Sequence, residues 1–307
     1  MKAVITGVTG FIGKSLADKL LRSGVYVYGV GRNFDKSQKL LQYKNFKMIQ
    51  LDFYNYKKLD HIIEDNDIDL FFHMAHMGVN GAGKINYKIQ LENSIVACEV
   101  VEAARRLNCK RFVFSGSIDE YEINYSPDDP FKEPSHSRIY ALCKFTSENI
   151  GKVIAYKGEM EYVSALLSLT YGEENETNIL PNMLIRNSLL KKPMNLIKGN
   201  NYFDLIYISD AVDAIIAIGK NGKNMESYYV GHHELRTFKQ TVLDICKILE
   251  SDIELRFGSY PDANNSIDYR LIDREKLWRD TGFLCNSSEK MAILNTANWI
   301  KSTENLK

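Results

Sequence analysis

Residues 1–14 read MKAVITGVTGFIGK, and this stretch decides the fold of the chain. Residues 3–6 are apolar or β-branched and predict a short buried strand. Gly7, Gly10 and Gly13 follow at three-residue spacing, and an amphipathic run with leucines on one face comes next. Strand, glycine turn and helix in this order are typical of a dinucleotide-binding site, whereas three glycines alone would indicate only a turn.

Each glycine of such a turn has its own physical reason. One permits the tight turn, one lets the backbone approach a pyrophosphate, and one lets the helix pack closely on the strand. The helix N-terminus then offers unpaired N–H groups and the positive end of its dipole to the phosphates. We therefore predict a bound NAD or NADP, held in the turn by Gly7, Thr9, Gly10, Phe11, Ile12 and Gly13.

The choice between the two cofactors depends on the end of the predicted second strand, residues 25–30. A carboxylate there would accept hydrogen bonds from the adenosine ribose and disfavour a 2′-phosphate. The strand instead runs into Gly31, Arg32 and Asn33, with no acidic residue before Asp35. A guanidinium can bind a 2′-phosphate in a bidentate manner, so we expect NADP(H) as the preferred cofactor and NAD(H) as a possible one. Alternatively, Arg32 is an ordinary solvated loop arginine.

Two further strand ends are predicted to complete the cofactor site. Residues 47–51 form a third strand that ends in Asp52, which either reaches the adenine amino group or is an ordinary turn residue. Residues 69–75 form a fourth strand. Further predicted cofactor contacts at these two strand ends are Phe53, Met74 and Ala75. His73 and His76 lack the companions that a metal site needs, so we expect no metal.

Composition excludes several classes of function. The 307 residues contain 39 Lys+Arg and 39 Asp+Glu, so no overall charge recruits nucleic acid or an anionic membrane. The five cysteines form no C-x-x-C pair, which favours reduced thiols in a cytoplasmic protein. The sequence enters a strand at once and has no apolar run of membrane-spanning length. We expect a cytoplasmic protein with no nucleic-acid or membrane partner.

The strongest chemical signal is Tyr140 and Lys144 at the start of a predicted helix. A separation of four residues puts both side chains on one helix face, one turn apart. An ammonium beside a phenol favours the phenolate, so we expect Lys144 to lower the pKa of Tyr140 towards working pH. Such a tyrosine can exchange a proton with an alcohol or carbonyl oxygen. Ser117, at the end of the predicted fifth strand, can hydrogen-bond the same oxygen. Alternatively, the pair simply opens an amphipathic helix.

Alternating strands and helices predict an α/β fold: a doubly wound parallel sheet with a smaller C-terminal α+β cap. We expect residues 1–165 to form the Rossmann domain, with residues 202–232 returning to it. Residues 166–201 and 233–307 then form the substrate cap. Other expectations are a polar helix around residues 56–65, a return of residues 205–217 to the sheet, and an Asn93 that anchors active-site backbone.

Taken together, these motifs resemble the extended short-chain dehydrogenase/reductase family, in its nucleotide-sugar branch of NAD-dependent epimerases and dehydratases. The segments that carry the resemblance are TGVTGFIG (6–13), FHMA (72–75), Asn93, FSGS (114–117) before Glu120 and Tyr121, Tyr140 with Lys144, Tyr171 with Gly172, DLIYISD (204–210), and Arg270 with Asp273 and Lys276.

The resemblance implies a nucleotide-sugar substrate and a catalytic triad of Ser117, Tyr140 and Lys144, with Lys144 also holding the nicotinamide ribose. It implies that Arg270 grips the nucleotide diphosphate, although a surface arginine is the alternative reading. The stretch around Asn182 should form part of the substrate cap. Relatives are often dimers through a helix bundle, so the resemblance also implies a homodimer.

Departures from the family pattern narrow the reaction. Dehydratases of the family carry an Asp-Glu pair after the hydroxyl residue, where this chain has Ile118 and Asp119. The segment from Gly116 to Tyr121 is closer to reductases of 4-keto-6-deoxy sugar nucleotides. The resemblance therefore implies an NADP(H)-dependent reductase of such a sugar, for surface polysaccharide. Alternatives are a nucleotide-sugar 4-epimerase with bound NAD and a non-catalytic module that senses NADP(H).

Overall fold

The computed structural model describes residues 1–124, 138–232, 234–260 and 267–304. Its strands are β1 (Lys2–Thr6), β2 (Tyr26–Gly31), β3 (Phe46–Gln50), β4 (Leu70–His73), β5 (Arg111–Ser117), β6 (Glu161–Leu167), β7 (Leu169–Tyr171), β8 (Met194–Leu196), β9 (Tyr202–Phe203), β10 (Leu205–Tyr207), β11 (Ser227–Val230), β12 (Arg236–Thr237) and β13 (Leu255–Phe257).

The helices are α1 (Phe11–Arg22), α2 (Gln38–Leu41), α3 (Leu59–Ile62), α4 (Gly81–Lys84), α5 (Tyr87–Arg106), α6 (Tyr121–Asn124), α7 (Arg138–Lys157), α8 (Leu180–Leu189), α9 (Ile208–Asn221), α10 (Phe238–Ile248), α11 (Lys276–Thr281) and α12 (Glu289–Glu304). Short 3-10 helices span Asp35–Ser37, Phe53–Lys58, Ile118–Glu120 and Tyr269–Leu271. Across the described residues, no helix has the length and apolar character needed to cross a membrane.

Seven strands form one parallel sheet in the order β3-β2-β1-β4-β5-β6-β11. The order reverses at β1, whose neighbours are β2 and β4, so the strand ends on either side of this point open a crevice for ligands. All four residues of β4, sequence LFFH, are buried. This explains why residues 70–72 are all apolar, as expected for a sheet covered by helices on both faces. The predicted doubly wound α/β fold is confirmed.

Two apolar cores cover the faces of this sheet, and a third lies outside it. Helices α1 and α9 pack on one face, and α5 and α7 on the other. The third core is formed by β7, α8, β8, α10 and α12. It lies where the sequence predicts a substrate cap, while the residue boundaries of the two domains stay a prediction.

Two local expectations were wrong. The polar segment around residues 56–65 is not one helix: Asp52 accepts a hydrogen bond from the Tyr54 N–H and starts the 3-10 helix Phe53–Lys58, which leads into the four-residue α3. The segment at residue 205 does not rejoin the main sheet, because β10 pairs with β7 in a separate two-stranded sheet. Helix α9 packs on the main sheet, and β11 adds its last strand.

Candidate active site

The glycine turn between β1 and α1 is shaped for a diphosphate. Gly7 has φ +73°, and a Cβ there would lie 2.8 Å from the backbone nitrogen of Ala75. A Cβ on Gly13 would lie 2.2 Å from the carbonyl oxygen of Gly7. Gly10 is the N-cap of α1, so no side chain caps the helix, and its first turn holds no acidic residue. The N–H groups of this turn thus lack a side-chain acceptor, which fits the phosphates of a dinucleotide.

The cleft continues past the turn into a pocket of about 360 Å³ at the ends of β2 and β4. It contains the predicted contacts Thr9, Arg32, Phe53, Met74 and Ala75 among its lining residues. Arg32 is exposed, and Lys36 also lines this pocket. The lining of this pocket therefore holds two cationic side chains and no acidic one, and Lys36 also pairs with Glu176, 3.3 Å away, which is not part of the lining. Asp52, by contrast, is exposed, does not line this pocket and acts as the N-cap described above.

Buried polar residues fix the loop that follows β4. Asn93 clamps the backbone of Met77, with Oδ1 accepting from its N–H at 2.9 Å and Nδ2 donating to its carbonyl at 2.8 Å. The predicted anchoring role of Asn93 is thereby confirmed. His73 Nδ1 lies 2.8 Å from Thr6 Oγ1, and burial lowers the pKa of this imidazole to about 3. His73 is thus a packed neutral residue.

Ser117 stands at the end of β5 and also begins the next helix. Its side chain accepts a hydrogen bond from the Asp119 N–H at 3.2 Å, while Glu120 Oε1 accepts from the Ser117 N–H at 2.8 Å. This reciprocal pair is a capping box. It holds the serine hydroxyl at the carboxyl edge of the sheet, where it forms a hydrogen bond with the phenol of Tyr140.

Tyr140 and Lys144 lie on the buried face of α7, which begins two residues before the tyrosine. The Lys144 ammonium donates to the Ser115 carbonyl at 2.6 Å and lies 6.0 Å from the centre of the Tyr140 ring. Burial lowers the pKa of Lys144 to about 8. The three predicted catalytic side chains therefore come together from two distant segments.

The expected lowering of the Tyr140 pKa is not found. Burial raises it, and the negative charge of Asp119 adds to the effect, while the hydrogen bond from Ser117 lowers it. The physical reason is that Tyr140 is only 8% exposed and the Lys144 ammonium is directed at a backbone carbonyl. The spacing of the two residues reports neither the burial of the phenol nor the direction of the ammonium.

One cleft of about 450 Å³ joins the glycine turn to these side chains. Among its lining residues are Gly7, Gly10, Phe11, Ile12, Gly13, Met74, Ser117, Tyr140 and Lys144. A hydrogen-bonded serine and tyrosine at one wall of a dinucleotide-shaped cleft can hold a carbonyl or hydroxyl group and move a proton to or from its oxygen. The nicotinamide ring of a bound cofactor would supply hydride transfer there.

Two predicted substrate residues do not line this cleft. Arg270 is exposed at the surface, where its guanidinium forms a bidentate ion pair with Asp268, at 2.8 and 2.7 Å. Asn182 is fully buried and donates to the Asn175 carbonyl at 2.7 Å. Asn175 itself does line the cleft, so Asn182 supports the cleft wall from behind. Direct substrate contact by Arg270 or Asn182 stays a prediction.

Sequence reasoning missed Lys84, a charged group at the cleft. Lys84, at the end of α4, lies 2.6 Å from Asp119 Oδ2, and both residues line the cleft beside Tyr140. His76 also lines it, with its ring edge against Tyr140 at 5.3 Å between ring centres. The sequence around Lys84 contains several glycines and has no hydrophobic periodicity. Its contact with Asp119 becomes evident only when β4 pairs with β5 in the folded chain.

Known proteins resemble this chain over most of its length. A profile of the NAD dependent epimerase/dehydratase family matches residues 3–231. Protein MJ1055 of Methanocaldococcus jannaschii is 27% identical over 96% of this chain and 95% of its own length. CDP-abequose synthase of Salmonella typhimurium is 23% identical over 73% of this chain and 72% of its own length.

The fold also matches that of a solved enzyme. UDP-glucuronic acid 4-epimerase from Bacillus cereus, solved with UDP-glucuronic acid and NAD, superposes with a TM-score of 0.79 at 21% identity, covering 99% of this chain and all of that one. At this identity the likeness concerns the fold alone. The family profile, in contrast, spans most of the chain from the glycine turn to β11. The chain therefore belongs to the NAD dependent epimerase/dehydratase family.

Proposed function

We propose that this protein is an NADP(H)-dependent reductase of a nucleotide-activated 4-keto-6-deoxy sugar. Its predicted role is in the synthesis of surface polysaccharide. In this reaction Ser117 would hydrogen-bond the keto oxygen and Tyr140 would give its proton to that oxygen, while a bound reduced nicotinamide would supply the hydride. Lys144 holds the nicotinamide ribose. CDP-abequose synthase, to which this chain is similar, is in keeping with this class of substrate.

The observation that carries the proposal is the cationic end of the cofactor cleft. Arg32 and Lys36 line it without an acidic neighbour in the lining, which favours a 2′-phosphate. A reductase consumes its cofactor in every turnover and draws on NADPH, whereas a 4-epimerase oxidises and re-reduces the same carbon with no net consumption. A cationic adenosine site thus supports net reduction.

The residues after Ser117 argue against dehydration. Family dehydratases use an Asp-Glu pair at this place to drive elimination of water. Here Ile118 is apolar, and the Asp119 carboxylate is bound by the Lys84 ammonium at 2.6 Å. The carboxylate that would have to accept a proton in dehydration is therefore already occupied by an ammonium group.

The second candidate is a nucleotide-sugar 4-epimerase with bound NAD. It is favoured by the likeness in fold to UDP-glucuronic acid 4-epimerase. The same three side chains would then act in both directions on one carbon. A module that only senses NADP(H) is a third reading, against which the assembled Ser117, Tyr140 and Lys144 argue.

One experiment separates these candidates. The purified protein is incubated with NADPH or NADH and with 4-keto-6-deoxy sugars linked to CDP, dTDP, GDP or UDP. The proposal expects loss of nicotinamide absorbance, one cofactor per sugar reduced, and no activity in Tyr140→Phe. Interconversion of UDP-sugar 4-epimers without cofactor consumption would establish the epimerase instead. Binding of NADP(H) with neither activity would favour the sensor.

The cofactor preference has its own test. We expect Arg32→Ala to raise the KM for NADPH about 10-fold or more, since a charge-assisted phosphate contact contributes about 1.5–3 kcal/mol, and to leave the KM for NADH nearly unchanged. Lys39→Ala serves as the control, because Lys39 is a nearby exposed lysine that pairs with Glu174 outside this pocket. Equal loss for both cofactors would argue against 2′-phosphate binding.

A further inference from the structure

Lys84 and Asp119 form an ion pair directly beside the catalytic tyrosine. Their charged atoms are 2.6 Å apart, and the Lys84 ammonium lies 4.8 Å from the centre of the Tyr140 ring. The lysine comes from α4 and the aspartate from the 3-10 helix after β5, so the pair bridges two walls of the cleft. Both side chains are partly buried, with 31% and 24% of their surface exposed, so solvent screens them incompletely.

The titratable side chains around Tyr140 come from several elements. From the loop after β4, His76 packs its ring against the phenol, and burial keeps the pKa of that imidazole well below its ordinary value, so it is neutral. From the segment after β5 come Asp119 and Glu120, and from the same helix comes Lys144. Asp119 is thus a negative charge that opposes the phenolate, and Lys84 is the cation that neutralises it.

The arrangement matters because Tyr140 changes charge during the proposed reaction. As the carbonyl oxygen takes its proton, the O–H bond of the phenol breaks and a phenolate remains until water reprotonates it. A carboxylate near the ring disfavours that phenolate, while an ammonium over the ring favours it. In this ion pair the Lys84 ammonium lies over the Tyr140 ring and also neutralises the Asp119 carboxylate.

We propose that Lys84 and Asp119 are positioning residues that act in opposition on Tyr140, with Lys84 favouring and Asp119 disfavouring the phenolate formed on proton transfer. This inference rests on the proposed role of Tyr140 as proton donor. It differs from the roles of Ser117 and Lys144, because neither member of the pair needs to touch substrate. At these distances and with partial solvation, each charge is expected to shift the Tyr140 titration by about one pH unit or less.

A double-mutant cycle that removes each charge separately and then both together tests the proposal. Lys84→Gln leaves Asp119 uncompensated and should move the Tyr140 titration to higher pH. Asp119→Asn leaves Lys84 free and should move it to lower pH. The double variant should return to within about a third of a unit of wild type, since both charges are gone. Lys88→Gln is the matched control, because Lys88 is an exposed lysine at the start of α5 that lies outside the cleft.

Two readouts keep this inference separate from the proposed function. The first is the pH dependence of kcat for sugar reduction. The second is the NMR titration of protein labelled at the tyrosine Cζ carbon, with Tyr140 assigned by its loss in Tyr140→Phe, which needs no substrate. Opposite shifts that cancel in the double variant support the proposal in either readout. Single variants that shift Tyr140 in the same direction, or not at all, overturn it even where sugar reduction is observed.

Discussion

Glu120 and Glu148 are neighbouring buried carboxyl groups in the interior behind Ser117, and each shifts the pKa of the other. Glu120 is fully buried and its Oε1 accepts from the Ser117 N–H, while among the described residues Oε2 has no N–H donor within hydrogen-bond distance. Burial raises the pKa of Glu120 well above its ordinary value, and the charge of Glu148 adds to the effect. Two adjacent buried carboxyls cannot both ionise, so one of them keeps its proton.

The partners of Glu148 decide which one ionises. Burial opposes its ionisation, but hydrogen bonds from Glu120, Lys152 and Ser227 bring its pKa below the ordinary value. The Lys152 ammonium lies 2.6 Å away. Glu148 therefore carries the charge, and Glu120 is the neutral acid that holds the backbone of Ser117.

Replacing Glu120 by Gln should preserve this arrangement. The amide accepts from Ser117 and donates to Glu148 as the protonated acid does, so we expect activity within a few-fold of wild type. Glu120→Ala removes both contacts and should cost about 2–4 kcal/mol of unfolding free energy, measured by urea denaturation. An alanine variant as stable as the glutamine variant would contradict this account.

The pH dependence of stability gives a second test of Glu120. Its folded-state pKa is raised, so the stability it contributes is present at low pH and falls as pH rises above about 4.3, the range of a free glutamate. Glu120→Gln has no proton to lose. We expect wild type to lose unfolding free energy relative to this variant between pH 5 and 8, and parallel curves would refute a neutral Glu120.

Lys144 should show the opposite dependence, because its pKa is depressed to about 8 in the folded protein. Between pH about 10.5 and 8, the unfolded chain binds this proton more readily than the folded one, so folded wild type loses stability as pH falls through that window. Lys144→Met should therefore gain in melting temperature relative to wild type from pH 10 down to pH 8, while activity is lost. Lys157→Met, at the exposed end of the same helix, should give no such trend.

We expect Gly13→Ala to weaken cofactor binding strongly. The added methyl group would meet the Gly7 carbonyl at 2.2 Å, a backbone contact that a rotamer change cannot relieve. We expect a loss of about 1–3 kcal/mol in stability and at least a 100-fold weaker affinity for NADPH by calorimetry. Ser15→Ala in the same helix is the control. Retained affinity in Gly13→Ala would mean that the turn is less closely packed than described.

The implied homodimer has a matching surface. Apolar side chains are exposed along one side of α5 and α7, namely Tyr87, Leu91, Ile95, Ile150, Val153 and Tyr156. Spacings of four residues in α5 align them in a stripe that a second copy can cover. We expect Ile95→Asp to give monomers in analytical ultracentrifugation. Leu243→Asp, which places the same charge at an exposed leucine of α10, should leave the dimer intact. A monomeric wild-type protein would refute the prediction.

Local patterns predicted the parts of this site that are encoded in single segments. The glycine turn and the Tyr140–Lys144 spacing each lie within one strand-turn-helix or one helix, so sequence periodicity suffices for them. The contact of Lys84 with Asp119 depends on the register of β4 against β5, over residues far apart in sequence. The pKa of Tyr140 depends on burial that no spacing reports. Both therefore required the folded chain.

The absence of a capping side chain at Gly10 has a consequence for how the protein is built. Helices α5 and α10 satisfy N–H groups of their first turn with a capping side chain, whereas α1 leaves these donors available to a phosphate. A bound cofactor would then accept hydrogen bonds from the first turn of α1 as well as take part in the reaction. Binding of a dinucleotide to these donors would then stabilise the folded state by mass action, so the melting temperature should rise with the concentration of cofactor.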